Sequence, residues 1–311
     1  MTRTLSPPRR ALAVVVALAL VGLGVAWTAD RDEVPRRRLA GAWTLRAHEG
    51  LGVWVDVFDW TEEFTESGPP VGLDDLDRMA DAGIETIYLQ TAHSRSGTSG
   101  VIEPDRLAAL IERAHAVGLR VVAWYLPTLL DVDADLARLV ASADLPVDGL
   151  GVDIEAVEVS DASERNARLL DLTERLRAAV GDDRALAAIT PSPTHLQVVN
   201  PAFWPDFPWV ELADAYDVLL PMSYWSIREE ALRDGEVYVG NDIDRLRAAT
   251  GDADIPIHVI GGIADALPVD QVEGMARAIL ERDAVGGSLY DWVTSNDAQW
   301  AALAPLRAAG P

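Results

Sequence analysis

Cysteine is absent from the 311 residues, and so is lysine: all 26 basic residues are arginine. Without thiols there is no disulfide framework, no Fe–S cluster, no thiolate zinc site and no cysteine nucleophile. Without an ε-amino group there is no Schiff-base chemistry and no phosphate-cradling P-loop lysine. Positive charge is scarce as well, since 26 basic against 50 acidic residues leave a formal net charge of −24. Such a chain repels a phosphate backbone, so no nucleic-acid partner is expected. The five histidines (His48, His93, His115, His195 and His258) show no H-x-H or H-E-x-x-H spacing, and no metal site is expected from them. The stretch Asp131-Val132-Asp133-Ala134-Asp135 lacks the glycine and terminal glutamate of an EF-hand loop. It reads instead as the acidic start of a helix. No cofactor is expected.

What remains is a composition able to fold, 49% hydrophobic and 24% charged. One apolar run stands apart. Arg3, Arg9 and Arg10 precede an uninterrupted stretch from Ala11 to Trp27, the pattern of a secretory signal peptide or signal anchor over residues 1–29. The run falls slightly short of the ~20 residues of a membrane span, which favours the signal peptide. Gly24-Val25-Ala26 offers a small-residue cleavage site. Residues 30–49, with Arg36-Arg37-Arg38, read as a polar linker. The chain is therefore expected to be exported, either secreted or anchored at the outer face of the cytoplasmic membrane.

From residue 50 to 311 short β-branched runs alternate with amphipathic stretches. Strands are expected at Leu51–Phe58, Glu85–Thr91, Arg120–Leu126, Gly149–Glu155, Ala185–Thr190, Asp217–Met222, Ile255–Gly261 and Gly286–Tyr290. Helical patterns lie between them, several closed by a glycine such as Gly83, Gly118 or Gly181. Alternation of this kind implies parallel strands joined by right-handed crossovers. Eight units over about 260 residues match a (β/α)8 TIM barrel, a single α/β domain. An open doubly wound sheet fits less well, because no glycine-rich phosphate turn follows the first strand.

In such barrels the active site lies at the carboxyl ends of the strands. The residues there are Asp56, Asp59 and Trp60; Gln90 and His93; Trp124, Tyr125 and Asp131; Asp153 and Glu155; Thr190 and Ser192; Ser223, Tyr224 and Trp225; and Asp291 and Trp292. Carboxylates suit acid–base work on acetals, and aromatic faces suit stacking on sugars. Asp153 and Glu155 stand two apart on one strand and so share a face. Neighbouring carboxylates cannot both ionise freely, which equips one as a general acid at neutral pH. Trp54 and Trp209 are expected to be core.

The stretch Asp148-Gly149-Leu150-Gly151-Val152-Asp153-Ile154-Glu155 resembles the strand-four signature D-G-x-D-x-D-x-E of family 18 glycoside hydrolases, the chitinases and related endo-N-acetylglucosaminidases. Met222-Ser223-Tyr224 resembles that family's M-x-Y on strand six, and Trp292 its tryptophan near the end of strand eight. The resemblance implies that Glu155 is the general acid and that Asp153 orients the substrate's own N-acetyl group, which serves as nucleophile. It further implies that Tyr224 hydrogen-bonds the acetamide carbonyl and that Trp292 floors the sugar subsite. Asp56, Gln90, Trp124, Tyr125, Met222, Trp225, Asp291 and Trp292 are the expected substrate-binding residues. In two places the chain departs from the pattern: Gly151 replaces the middle aspartate, and Trp124-Tyr125-Leu126-Pro127 stands where S-x-G-G belongs. A conventional pair, with Asp56, Asp59 or Asp291 facing Glu155, stays open.

Two functions follow. One is an exported glycosidase acting on an N-acetylhexosamine-containing polysaccharide. The other, favoured by Gly151, is a chitinase-like lectin that keeps the cleft without the chemistry.

Overall fold

The computed structural model describes residues 43–308. The expected signal or anchor segment and most of the linker lie outside them. Among the described residues no helix is long and apolar enough to cross a membrane.

Eight strands close a barrel in chain order: β1 (Gly50–Val55), β2 (Thr86–Gln90), β3 (Arg120–Tyr125), β4 (Gly149–Asp153), β5 (Leu186–Pro191), β6 (Val218–Ser223), β7 (His258–Gly262) and β8 (Gly286–Tyr290). Every neighbouring pair is parallel, including the closing pair β1 and β8. Strands buried on both faces need apolar residues throughout rather than in alternation, and Leu186–Pro191 and Val218–Ser223 are buried at every position. Around the barrel run α1 (Leu73–Asp81), α2 (Pro104–Ala116), α3 (Val132–Ala143), α4 (Ala162–Val180), α5 (Trp209–Ala215), α6 (Gly235–Thr250), α7 (Val269–Glu281) and α8 (Asp297–Ala302). Successive strand residues face opposite ways, so one set packs under the helices and the other fills the lumen.

The lumen is solid. Trp54 stacks on Tyr88 with ring centroids 4.4 Å apart and 8° between planes. Its indole N–H donates to Ser288 Oγ at 2.8 Å, and Trp124 meets it edge-on at 5.5 Å. Val122, Ile189, Leu220 and Ile260 complete this inner cluster. Any site must therefore sit above the packed rings, at the carboxyl ends of the strands.

Residues 43–49, read from sequence as the end of the linker, belong to the barrel. Trp43 is buried and donates from its indole to Val147 O at 2.7 Å. The 3-10 turn Leu45–His48 closes the floor, where the His48 carbonyl oxygen lies 2.8 Å from His258 Nδ1. At the other end β1 stops at Val55 rather than Phe58, because Asp56 caps a helical turn at Val57–Trp60. Helix α5 spans only seven residues, and α8 ends at Ala302 before a short 3-10 turn at Ala304–Leu306.

Candidate active site

Asp153 is the last residue of β4, and Glu155 follows two positions on. Between them Ile154 is 2% exposed and its amide donates to Ile189 O at 2.8 Å, which keeps this segment in register with β5. Asp153 and Glu155 therefore emerge together into a cleft of about 480 Å³. Asp56, Gln90, Trp124, Met222, Tyr224 and Tyr290 line the same cleft, as do Phe58, His93, Arg95 and Glu158.

Asp153 is 6% exposed, and its Oδ1 has no hydrogen-bond partner among the described residues. Burial foremost, and then the Glu155 charge, push its carboxyl well above the ordinary carboxylate range. Glu155 is raised as well, by burial and then by Glu158. The Tyr224 phenol is raised by burial and by the charges of Glu155, Asp153 and Asp291. For a carboxyl group an upward shift is the direction a general acid requires.

A second acidic group stands at the ends of β1 and β8. Asp56 Oδ1 accepts from Phe58 N at 2.7 Å, and Asp56 Oδ2 accepts from Tyr290 Oη at 2.6 Å. Asp59 Oδ2 accepts from Asp56 N at 3.0 Å. Carboxylate oxygens of Asp56, Asp59 and Asp291 lie within 4.8 Å of one another, a spacing that a cation can bridge. Burial and then the Asp56 charge push Asp59 up to about 8, and burial chiefly raises Asp56. Hydrogen bonds from Phe58 N, Tyr290 Oη, Asp56 N and Thr294 N satisfy much of this group.

Of the expected binding residues, Asp56, Gln90, Trp124 and Met222 are on the cleft wall. Gln90 also braces it, its Oε1 accepting from Val57 N at 3.0 Å. Asp291 is not on the wall but in the carboxylate group with Asp56. Three aromatic expectations are corrected. The Tyr125 hydroxyl donates to Asp135 Oδ1 at 2.6 Å, under α3. Trp225 is 1% exposed, packed where a Cβ on Gly235 or Gly261 would meet its ring. Tyr125 follows the cleft residue Trp124 on β3, where successive residues alternate in direction, and Trp225 opens a 3-10 turn after the end of β6. Trp292 donates from its indole to Asp75 Oδ1 at 3.0 Å and stacks on Trp300, in a groove with Arg78 and Arg307 outside the barrel. It floors no part of the cleft.

Other strand-end residues serve the frame. Trp60 is fully buried and its indole donates to Gln90 O at 2.9 Å. Ser192 and Ser223 donate to Asp242 beneath α6. Asp131 caps α3. Sequence reasoning missed Tyr290, Phe58, Arg95 and Glu158. Alternation along β8 places Tyr290 on the face of Ser288, a signal that was available. Phe58, 45% exposed beside His93 and Phe64, forms an aromatic rim that depends on the turn after β1, which the pattern did not show.

No family model and no curated protein sequence matches the chain. Solved structures do share its fold. The glycoside hydrolase domain of PgaB (BpsB) from Bordetella bronchiseptica is 14% identical, with a TM-score of 0.61 over 84% of this chain and 100% of that one. The spore cortex-lytic enzyme SleL of Bacillus cereus is 10% identical, with a TM-score of 0.62 over 84% and 74%. A chitinase from Chromobacterium violaceum is 15% identical, with a TM-score of 0.54 over 83% and 98%. At such identities the likeness establishes the fold alone, a (β/α)8 TIM barrel.

Proposed function

We propose that this protein is an exported glycoside hydrolase that cleaves an N-acetylhexosamine-containing polysaccharide, with Glu155 as general acid. One observation carries the reading: Asp153, Glu155 and Tyr224 meet in a single cleft at the carboxyl ends of the strands. A chitinase and a cortex-lytic enzyme among the proteins of the same fold fit it, as does the resemblance of the strand-four stretch to family 18. The arginine-flanked apolar run at the N-terminus supports export.

In this mechanism Glu155 gives its proton to the glycosidic oxygen as the bond to the anomeric carbon breaks. The acetamido carbonyl oxygen of the same sugar attacks that carbon, so no second protein carboxylate is needed at nucleophile distance. Asp153 Oδ1, buried without a partner, accepts the acetamido N–H and turns the group toward the anomeric carbon. The Tyr224 hydroxyl donates to the acetamido carbonyl oxygen. Water then opens the cyclic intermediate, and the ionised Glu155 takes its proton.

Gly151 favours the second reading, a carbohydrate-binding barrel without catalysis. A Cβ there would lie 3.0 Å from Ile189 Cδ1 and 3.5 Å from Trp124 Cβ, so packed lumen occupies the place of the aspartate that the family pattern sets beneath Asp153. A panel of oligosaccharides with and without 2-acetamido groups, followed by mass spectrometry, separates the readings. Cleavage confined to acetamido sugars is expected. Cleavage of plain hexose oligomers contradicts substrate assistance, and binding without cleavage supports the lectin.

A further inference from the structure

We propose that the groove at Trp292, outside the barrel, is a second carbohydrate-binding site, which holds a run of polysaccharide without cutting it. The proposal rests on the glycosidase reading and adds the form of the substrate, a long or insoluble polymer. Among the described residues Trp292 is the one tryptophan that is not buried. So large a ring is ordinarily taken out of water, yet this one is held at the surface by three contacts. Its indole N–H donates to Asp75 Oδ1 at 3.0 Å, and its backbone N–H donates to Trp54 O at 3.1 Å. The buried Trp300 backs it, with ring centroids 6.0 Å apart and 26° between planes. A ring fixed in this way has little freedom left to lose when a ligand settles on it.

The groove exists because α8 has six residues where α7 has thirteen, which leaves the outer layer thin beside α1. It encloses about 470 Å³, close to the 480 Å³ of the cleft, and a smaller hollow of about 260 Å³ on the α7 side shares Ala301 with it. Two carboxylates, Asp81 and Asp297, and two guanidiniums, Arg78 and Arg307, line it, so it carries no net charge. Among the described residues the Asp81 and Asp297 side chains have no hydrogen bond or ion pair. Arg307 pairs with neither and donates to Ala82 O at 2.7 Å. Arg78, mostly exposed, lies 5.8 Å over the Trp292 ring and pairs with Asp75. Free acceptors and donors therefore surround one apolar ring. A sugar has the matching form, an apolar C–H face edged by hydroxyls that both donate and accept. A protein partner would need a much wider apolar area than one ring. Trp292 also follows Asp291, whose carboxylate lies beside that of Asp56 on the cleft wall. The loop after β8 thus bounds both sites, and a polymer held at Trp292 lies alongside the cleft.

The test sediments the full chain with insoluble chitin and with peptidoglycan sacculi, in a Glu155→Gln background so that neither polymer is cut. Trp292→Ala is expected to weaken retention about tenfold. Trp292→Phe keeps a ring but cannot donate to Asp75, and it is expected to keep most of the retention. Asp81→Ala combined with Asp297→Ala, both at exposed positions, weakens retention without touching the ring or the core. Melting temperatures verify that each variant is folded. Retention of Trp292→Ala and of the double aspartate variant at the parent level overturns the proposal, as does a loss in Trp292→Phe equal to that in Trp292→Ala. A change from dimer to monomer in Trp292→Ala, with retention unchanged, gives the groove to a second copy of the chain and also overturns it. If neither polymer retains the parent while the wild type still cleaves soluble N-acetylhexosamine oligosaccharides, the second site falls and the glycosidase reading stands. Neither retention nor cleavage overturns that reading and this proposal with it.

Discussion

Gly151 faces the lumen two residues below Asp153, with Ile189 against the space a side chain would need. Restoring an aspartate here would crowd Ile189 and Trp124 and place a carboxyl among apolar side chains. Overpacking and an unpaired buried acid are both costly. Gly151→Asp is therefore expected to lower the melting temperature by about 5 °C and to leave hydrolysis no faster. Calorimetry and an oligosaccharide assay check the two halves; a stable, faster variant would show that the lumen has room for the missing acid. The same alternation explains what was legible residue by residue. Asp153 and Glu155 are two apart and had to share a face, so their meeting could be read from the chain. Tyr125 sits one residue from the cleft residue Trp124 on β3, and that single step turns it under the helices, whereas Trp225 is carried inward by the 3-10 turn after β6. Trp292 follows Asp291 beyond the strand, where alternation no longer applies and the ring goes to Asp75 and Trp300.

Between elements, one tie near the cleft is Asp242 of α6, which is fully buried. Its carboxylate accepts from Ser192 Oγ at 2.9 Å, Thr194 N at 2.8 Å and Ser223 Oγ at 2.6 Å. Those three bonds clamp the ends of β5 and β6, and Ser223 lies between Met222 and Tyr224 on the chain. Asp242→Ala strands three buried donors and is expected to cost about 3 kcal/mol of stability. Asp242→Asn, which keeps an acceptor, should cost less; equal losses in denaturant titrations would contradict the clamp. Strands and long helices were legible because their apolar periods differ, two residues against 3.6. The helix Trp209–Ala215 spans two turns, too short for a period to declare itself. The turn Val57–Trp60 read as a continuation of β1, since Val57 and Phe58 suit a strand until the capping by Asp56 is seen.

Over the whole molecule, two sets of buried groups oppose each other as pH changes. In the floor, burial lowers His48 from 6.5 to about 3 and His258 from 6.5 to about 4. A histidine depressed on folding contributes stability that is present above pH 6.5 and lost as pH falls toward the folded value. Asp59 runs the other way: raised from 3.8 to about 8, it contributes stability below 3.8 that is lost as pH rises toward 8. The melting temperature of the wild type is therefore flatter between pH 4 and 8 than either set alone would give. Asp59→Asn should gain on the wild type as pH rises to 8, and His258→Gln should gain as pH falls from 6.5 to 4. Parallel melting profiles for all three proteins would contradict both assignments. The barrel itself was legible at this scale, because repeated β/α units of even length close naturally. Its floor was not: residues 43–49 have the polar composition of a linker, and only Trp43 and His48 in their tertiary positions show otherwise.

The central claim is that Glu155 is the acid of a glycosidase, and one substitution tests it most directly. Wild type and Glu155→Gln are incubated with N-acetylhexosamine oligosaccharides, and the products are followed by mass spectrometry. The account predicts cleavage by the wild type and a rate about a thousandfold lower in the variant, with binding retained. Cleavage by Glu155→Gln at the wild-type rate would contradict it and move the acid to another carboxylate of the cleft.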